Sequence, residues 1–426
     1  MKNTLDYQGN KKSLLGFISD CVSPYIDKDK YFLDIFAGSG SVSLFFAQKF
    51  NVAFNDIEPY SSIIISSFLL SKKSNFKDTF GLAFSTFFNE YKTNKIFLES
   101  KLAKYVELEK LFLSQQDLVS YKLLQDEYPT IWNGLYSPVI NNKLTFDNLS
   151  SNQIGYNHLF CSYYGNSYFS IEQCIEIDSI RYGIEKIKSN DYSCLFFAAL
   201  YHAMNQCVFS KDGHMAQPLS VEKNLNRAIL TKKKNFYFEF NSFLKKLCES
   251  DYKFSKKYKG FNSDFTELIK TNFFQKEISC VYADPPYTDM QYSRYYHLLN
   301  TVTAYSYDSP TILHGKFTKG LYLNNRSFSR LSCKKTCLMD MTLLMRACKL
   351  NKINLCISFG YPDVRSDEKK DRYVMKINDL ISSCNSVFGS NNVRVFSEDY
   401  EHGNQRNSKK KKVIEYVICC QGNCHD

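Results

Sequence analysis

The first 75 residues alternate between helix-like and strand-like spacing of apolar side chains. A helix is predicted over 12–25, where apolar residues recur every three or four positions. Short apolar runs bounded by charged or turn residues predict buried strands at 31–36 and 51–54, with a helix over 41–50 between them. This order of strand, tight turn, helix and strand is typical of a parallel α/β sheet.

From about residue 76 to 250 the pattern becomes helical. Segment 96–128 is long, charged and helical in period, without intervening strands. The sequence Ser170-Ile171-Glu172-Gln173 has the form of a capping box, in which two side chains satisfy free backbone amides. Four isoleucines follow it at a spacing of three, four and three residues, which gives one apolar helix face. This stretch is therefore predicted to be a mainly helical insertion.

After about residue 255 the α/β pattern returns. Apolar runs predict strands at 278–283 and 353–359. Segments 393–396 and 413–420 predict a final hairpin, joined by a long basic loop.

The three regions indicate one α/β domain interrupted by an insertion. We expect residues 1–75 and 255–426 to form the α/β domain and residues 76–254 to form the helical insertion. A chain of 426 residues has the length for this organisation.

Composition narrows the class of protein. Hydrophobic residues at 44% and charged residues at 23% exclude a wholly disordered chain. No apolar run approaches the roughly 20 residues of a membrane helix, and the N-terminus lacks the apolar stretch of a signal peptide. A cytoplasmic protein without a membrane segment is therefore expected.

Cysteine usage and net charge add two expectations. The 15 cysteines include no CxxC pair, so free thiols in a reducing compartment are predicted and a metal site is not. The net charge of +11, from 54 Lys and Arg against 43 Asp and Glu, favours a polyanionic partner.

A glycine loop follows the first predicted strand. Glycines in the segment Asp34–Gly40 allow a ligand to approach the backbone closely before the next helix. Asp56 ends the second strand, where an acid can accept both hydroxyls of a ribose. Asp56 could instead cap the helix that starts near Pro59. This pattern alone leaves open a nicotinamide or flavin enzyme and a methyltransferase.

The sequence Asp284-Pro285-Pro286-Tyr287 follows the strand at 278–283 and decides between these classes. Asp284 can accept one N–H of an exocyclic amine, the next carbonyl can accept the other, and Tyr287 can stack on the ring. An adenine amine is a poor nucleophile because its lone pair is delocalised into the ring. Two acceptors that hold the amine toward tetrahedral geometry restore this lone pair.

The ordered motifs resemble those of the DNA adenine-N6 methyltransferases of the Dam-like type, in their alpha arrangement. The motifs that carry the resemblance are Tyr7–Lys11, Asp34–Gly40, Asn55-Asp56, Phe261–Phe265 and Asp284–Tyr287. Three further segments also look similar to relatives, at 163–170, 213–219 and 291–297. The resemblance implies a Rossmann-like class I methyltransferase sheet with a mainly helical insertion domain.

The resemblance also implies a cofactor and its site. The cofactor would be S-adenosyl-L-methionine, with Lys11 near its carboxylate, Asp56 at its ribose and Asp264 near its adenine. The implied cofactor-binding residues are Tyr7, Lys11, Asp34, Gly38, Gly40, Asp56, Asp264 and Asp284. The implied catalytic residues are Asp284, Pro285, Pro286 and Tyr287.

The implied activity is methylation of adenine N6 in double-stranded DNA, with the helical insertion as the target-recognition domain. Whether a restriction endonuclease is a protein partner is left open by the sequence. The expected DNA-binding residues are Lys409, Lys410, Lys411, Lys412, His214 and Gln217. The alternatives are methylation of cytosine N4, a non-catalytic DNA-binding relative and, less consistent with Asp284–Tyr287, an oxidoreductase.

Overall fold

The computed structural model describes residues 11–70, 76–151, 154–249, 256–324, 326–362, 370–402 and 411–423. The chain divides into two compact units. The sheet unit comprises the described parts of Tyr7–Ile65, Lys253–Tyr292 and Ser327–Asp426, and the helical unit those of Ser66–Tyr252 and Ser293–Arg326.

The described strands belong mostly to the sheet unit. Their bounds are β1 Tyr31–Asp34, β2 Asn51–Asn55, β3 Tyr258–Phe261, β4 Ile278–Ala283, β5 Ile312–Leu313, β6 Lys316–Phe317, β7 Asn354–Pro362, β8 Val393–His402 and β9 Lys411–Cys420. Within the described ranges, seven of them form one sheet in the order β3-β2-β1-β4-β7-β9-β8. The first five strands of this order are parallel, whereas β9 runs antiparallel to both β7 and β8. The predicted Rossmann-like α/β sheet and its final hairpin are confirmed.

The α-helices account for most of the remaining described chain. Their bounds are α1 Leu15–Val22, α2 Ser41–Phe46, α3 Pro59–Leu70, α4 Phe76–Gln115, α5 Leu118–Glu127, α6 Phe146–Ser151, α7 Leu159–Tyr164, α8 Ile171–Glu185, α9 Asn190–Cys207, α10 Leu225–Lys232, α11 Phe236–Glu249, α12 Phe265–Leu268, α13 Asn272–Glu277, α14 Tyr292–Tyr295, α15 His297–Ala304, α16 Cys337–Leu350 and α17 Ile377–Phe388. No helix in the described ranges is both long and apolar enough to span a bilayer.

The strand order places a switch point between β1 and β4. The two strands are neighbours, yet the chain runs from β1 outward to β2 and β3 and from β4 in the opposite direction to β7. In open parallel sheets, ligands bind in the crevice at the carboxyl ends of the strands beside such a reversal. Asp34 ends β1 and Asp284 directly follows β4, so both residues lie at this edge.

A continuous apolar core fixes the strands of the sheet unit. Leu33, Val281 and Ile357 of adjacent parallel strands are fully buried, and Ile418 of β9 continues the same layer. Residues of α16 and α17 cover them, including Leu344. These strands are apolar on both faces, which is the expected pattern for the centre of a covered parallel sheet.

Local sequence explains the boundaries in the helical unit. The predicted helical segment 96–128 divides into α4 and α5, because Gln116 has a φ of +58° and Asp117 caps α5 by accepting from the Ser120 N–H at 2.8 Å. The predicted capping box is confirmed at the start of α8, with reciprocal bonds of 3.0 Å between Ser170 and Gln173.

One segment clusters differently from its position in the sequence pattern. Ser293–Arg326 belongs to the helical unit, whereas the pattern placed it with the α/β domain. The cause is α15, whose carbonyl at Val302 accepts from Arg181 Nε at 3.0 Å and whose His297 ring packs edge-on against Tyr168.

Candidate active site

The loop after β1 turns through two glycines in the left-handed region. Gly38 has a φ of +50° and Gly40 a φ of +75°. A Cβ atom on Gly40 would lie 2.3 Å from Cγ1 of Ile65, so only glycine allows this approach to α3. Ser61 Oγ donates to the Gly38 carbonyl at 2.6 Å. The predicted glycine loop is therefore a tightly supported turn at the crevice.

Asp56 connects this loop to the turn before α3. Its Oδ2 accepts from the Gly38 N–H at 2.7 Å and its Oδ1 accepts from the Glu58 N–H at 2.9 Å. Burial raises the pKa of Asp56, and the two backbone N–H groups oppose this shift. The bond to Glu58 joins residues two positions apart before α3 begins at Pro59, so it forms a turn ahead of the helix. The bond to Gly38 is a further role, in which Asp56 holds the glycine loop.

Asp34 lies beneath the loop as a buried carboxyl group. It accepts from Ser43 Oγ of α2 at 2.6 Å. Burial raises the pKa of Asp34 to about 7, the Ser43 hydrogen bond opposes the shift, and the negative charge of Asp56 adds to it.

Asn55 joins the loops that follow three neighbouring strands. Its side-chain amide donates to the carbonyls of Ile35 at 3.2 Å and Ser263 at 3.1 Å, and its oxygen accepts from the Ser263 N–H at 3.1 Å. Asp264 follows directly and caps α12 by accepting from the Thr266 N–H at 2.8 Å. Asp264 is exposed, at the same sheet edge as the glycine loop.

The sequence Asp284–Tyr287 begins one residue after β4. The Asp284 side chain is 21% exposed, Pro285 is buried, and Pro286 and Tyr287 are partly exposed. The Tyr287 hydroxyl donates to Asp284 Oδ1 at 2.7 Å, and its ring packs edge-on against Phe359 with the centroids 5.1 Å apart. The segment therefore presents one carboxylate at the crevice, bonded by its own tyrosine.

Lys11 and Glu415 complete this arrangement. The Lys11 ammonium lies 2.7 Å from Glu415 Oε1 and 3.3 Å from Asp284 Oδ1, and it also donates to the Tyr287 hydroxyl. Ser358 Oγ of β7 donates to Glu415 Oε1 at 2.5 Å. We call Lys11, Asp284, Tyr287 and Glu415 the Lys11 cluster. The sequence placed Lys11 near a cofactor carboxylate, and the structure places its ammonium against two carboxylates of the protein.

Burial and the neighbouring charges of the Lys11 cluster raise the pKa of Asp284 above its usual value. Burial lowers the pKa of Lys11, but the nearby carboxylates of Asp284 and Glu415 outweigh it, so the pKa is raised. Burial raises the pKa of Asp284 to about 7, with Lys11 opposing the shift and Glu415 adding to it. One ammonium faces two carboxylates, so the proton affinity of Asp284 depends on both neighbours.

Glu415 was missed by sequence reasoning. It is the single charged residue of the otherwise largely apolar run Val413–Cys420, and its side chain is only 2% exposed. A buried carboxylate requires a partner. This isolated acid within a buried strand was the available signal.

The predicted DNA-binding residues belong to different parts of the chain. His214 and Gln217 lie in the helical unit, where the His214 ring packs edge-on against Tyr295 and Gln217 is exposed. Lys411 and Lys412 begin β9 and pair with the end of β8. Lys409 and Lys410, together with the predicted cofactor residue Tyr7, lie outside the described residues.

A comparison with protein families decides the classification. The sequence model of the D12 class N6 adenine-specific DNA methyltransferases matches residues 7–320, which is more than half of the chain. The chain belongs to this family. The resemblance drawn from the ordered motifs is thereby confirmed.

A curated relative of this D12-class chain is Modification methylase LlaI of Lactococcus lactis subsp. lactis. The two are 22% identical over 426 residues, and the match covers 97% of this chain and 54% of the relative. The D12-class chain thus spans about half the length of the curated relative that it matches.

The range of residues matched by the family model contains only part of the candidate site. The matched range includes the glycine loop, Asp56, Asp264 and Asp284–Tyr287, and it ends before β7, β8 and β9. Glu415 therefore lies in a part of the D12-class chain to which the family match does not extend. Within the described ranges, no group of three or more His, Cys, Asp or Glu side chains is placed to hold a metal ion.

Proposed function

We propose that this chain transfers a methyl group from S-adenosyl-L-methionine to N6 of adenine in double-stranded DNA. The observation that carries this proposal is the position of Asp284–Tyr287 at the carboxyl end of β4. The neighbouring strand β1 leads into the glycine loop, so an amine acceptor and a cofactor loop lie on the two sides of one switch point.

The residues at this edge fit S-adenosyl-L-methionine. Gly40 adopts a turn that a side chain would obstruct, and the partly exposed carboxylate of Asp284 favours a cationic sulfonium ligand. When bound, this cofactor supplies an electrophilic methyl group. The residues proposed to hold it are Tyr7, Lys11, Asp34, Gly38, Gly40, Asp56, Asp264 and Asp284.

The chemistry assigned to the protein is orientation of the target amine. The Asp284 carboxylate would accept one N–H of the amine, and the Pro285 carbonyl would accept the other. A carboxyl group with a pKa of about 7 is also suited to hold the proton that the amine releases. The Tyr287 ring is proposed to stack on the base, in addition to the observed bond from its hydroxyl to Asp284.

The DNA-binding assignments extend this proposal. A base inside a duplex must be extruded to reach Asp284, at a cost of a few kcal/mol. We expect the helical insertion to select the target, with His214 and Gln217 near the bases and Lys409, Lys410, Lys411 and Lys412 at phosphates. The name of the relative, a modification methylase, favours pairing with a restriction endonuclease.

The test is methyl transfer to duplex DNA from labelled S-adenosyl-L-methionine, followed by mass analysis of the nucleosides. We expect N6-methyladenine from the wild type and none from Asp284→Ala. Asp289→Ala removes an exposed carboxylate five positions further along and should retain activity. Full activity of Asp284→Ala, or an inactive wild type, would refute the proposal, and N4-methylcytosine would support the cytosine alternative.

A further inference from the structure

Glu415 occupies a position in the sheet that aims its carboxylate at the residues after β4. It lies on β9 opposite Gly360 of β7, and β7 pairs in turn with β4. Lys11 at 2.7 Å and Ser358 at 2.5 Å donate to its Oε1 atom, and the Tyr287 hydroxyl, whose single proton is directed at Asp284, lies 3.2 Å from the same atom. Because the carboxylate is 2% exposed, these donors replace the water that an ionised acid needs.

Glu415 and Asp284 both contact the Lys11 ammonium and the Tyr287 hydroxyl. Lys11 lies closer to Glu415, at 2.7 Å, than to Asp284, at 3.3 Å. The Tyr287 hydroxyl shows the reverse preference, with 2.7 Å to Asp284 and 3.2 Å to Glu415. The closest partner of the ammonium is therefore Glu415 and not Asp284.

The position of the Lys11 ammonium affects the carboxylate oxygens of Asp284, which the proposed reaction needs. Asp284 must keep an acceptor site open for the target amine. Without Glu415, the ammonium would lose its nearer partner and pair with Asp284 alone, which would occupy that site and weaken Asp284 as an acceptor. A second carboxylate that draws the ammonium away prevents this.

We propose that Glu415 is a positioning residue of the methyl-transfer site: it holds the Lys11 ammonium and the Tyr287 hydroxyl so that the Asp284 carboxylate remains available to the target amine. This inference rests on the proposed function, and it concerns a residue outside the family-matched range 7–320.

The negative charge of Glu415 affects the pH dependence of activity, which would not change if Glu415 had only a structural role. The groups that act on Asp284 are Lys11, Glu415, Asp34 and the Tyr287 hydroxyl. Glu415 raises the pKa of Asp284, so replacing it by glutamine lowers that pKa. If the ionised form of Asp284 is required, the acid limb of the kcat/KM profile must then move to lower pH.

The test compares the full-length wild type with Glu415→Gln and Glu415→Asp, and measures kcat, KM and the pH profile of DNA methylation. For Glu415→Gln we expect kcat to fall by roughly 10- to 100-fold, comparable with the loss of other positioning contacts. The KM for DNA should change little, and the acid limb should shift down by about one pH unit. Glu415→Asp should restore part of kcat, because it retains the charge.

Two further variants control the experiment. Glu398→Gln removes an exposed carboxylate at the position opposite Glu415 on β8, and should leave both kcat and the pH profile unchanged. Ser358→Ala removes one donor to Glu415 and should cause a smaller loss of kcat, which keeps the test informative if Glu415→Gln does not fold.

The outcomes separate this inference from the proposed function. An inactive wild type would refute the proposed function. An active wild type with the same kcat and acid limb in Glu415→Gln would overturn only the role of Glu415. The same conclusion would follow if Glu415→Gln raised KM alone, or if Glu398→Gln shifted the acid limb equally.

Discussion

Removal of the Lys11 ammonium should destabilise the sheet unit, and the loss should depend on Glu415. Lys11→Met keeps an unbranched side chain of similar length but removes the positive charge that Asp284 and Glu415 share. The two carboxylates would then face each other across the Tyr287 hydroxyl. Lys11 opposes the raised pKa of Asp284, so its loss raises that pKa further. The site must then either hold two like charges without a counterion or take up a proton, and each alternative costs free energy.

The expected cost follows from burial. Breaking a buried ion pair by removing one partner costs about 3–5 kcal/mol of unfolding free energy. The side chains of Lys11 and Glu415 are 7% and 2% exposed, whereas Asp284 is 21% exposed and retains some hydration. The lower end of the range, about 3 kcal/mol, is therefore expected for Lys11→Met.

A second substitution tests the physical cause. Glu415→Gln in the Lys11→Met background removes the repulsion and the buried charge that lacks a partner. The double variant should therefore be more stable than the sum of the two single effects predicts, by about 1–3 kcal/mol. If the loss of unfolding free energy in the double variant equals the sum of the losses in the two single variants, the reasoning is refuted, because the two side chains would then act independently.

The assay must report on the correct unit. The single tryptophan of the chain, Trp132, lies in the helical unit, so its fluorescence would report on that unit. Pulse proteolysis across a urea series, with fragments identified by mass, measures the population of open sheet unit directly. Hydrogen exchange of peptides from β4 and β9 gives an independent value.

Two further predictions concern the cofactor loop and the helical unit. Gly40→Ala adds about 1–2 kcal/mol of left-handed backbone strain and places a Cβ atom 2.3 Å from Cγ1 of Ile65. Calorimetry should therefore show cofactor affinity lowered at least tenfold, and unchanged affinity would contradict this prediction. Asp178 accepts from two backbone N–H groups at the start of α7, each at 2.9 Å, and Asp178→Asn leaves one of them without an acceptor. The free energy of unfolding should fall by about 1–3 kcal/mol. Urea unfolding monitored by Trp132 fluorescence measures this change, and an unchanged midpoint would contradict the prediction.

The fold was predictable where an element is apolar and clearly bounded. The strand predicted at 278–283 matches β4 at both ends, because buried parallel strands are short continuous apolar runs. The strand β3 was missed. Its residues Tyr258-Lys259-Gly260-Phe261 include a lysine and a glycine, and β3 is an edge strand, where burial does not select an apolar run.

The candidate site was predictable only where its residues follow strands. Asp34, Asp56 and Asp284 could be grouped because the carboxyl ends of parallel strands lie at one edge of a sheet. The pair of Lys11 and Glu415 could not, since 404 positions separate them and no local spacing relates them. Their contact depends on β9 running antiparallel beside β7, which only the assembled sheet shows.

This long-range pair has a consequence for how the site forms. A contact that closes a loop of about 400 residues carries a large entropic cost, which short-range contacts in the same sheet must offset first. The Lys11 cluster is therefore expected to assemble only after β4, β7 and β9 have paired. The family-matched range 7–320 contains Lys11 and Asp284 but neither β7 nor β9. The acceptor motif can thus be recognised in that range, but the charge balance that surrounds Asp284 depends on a strand beyond it.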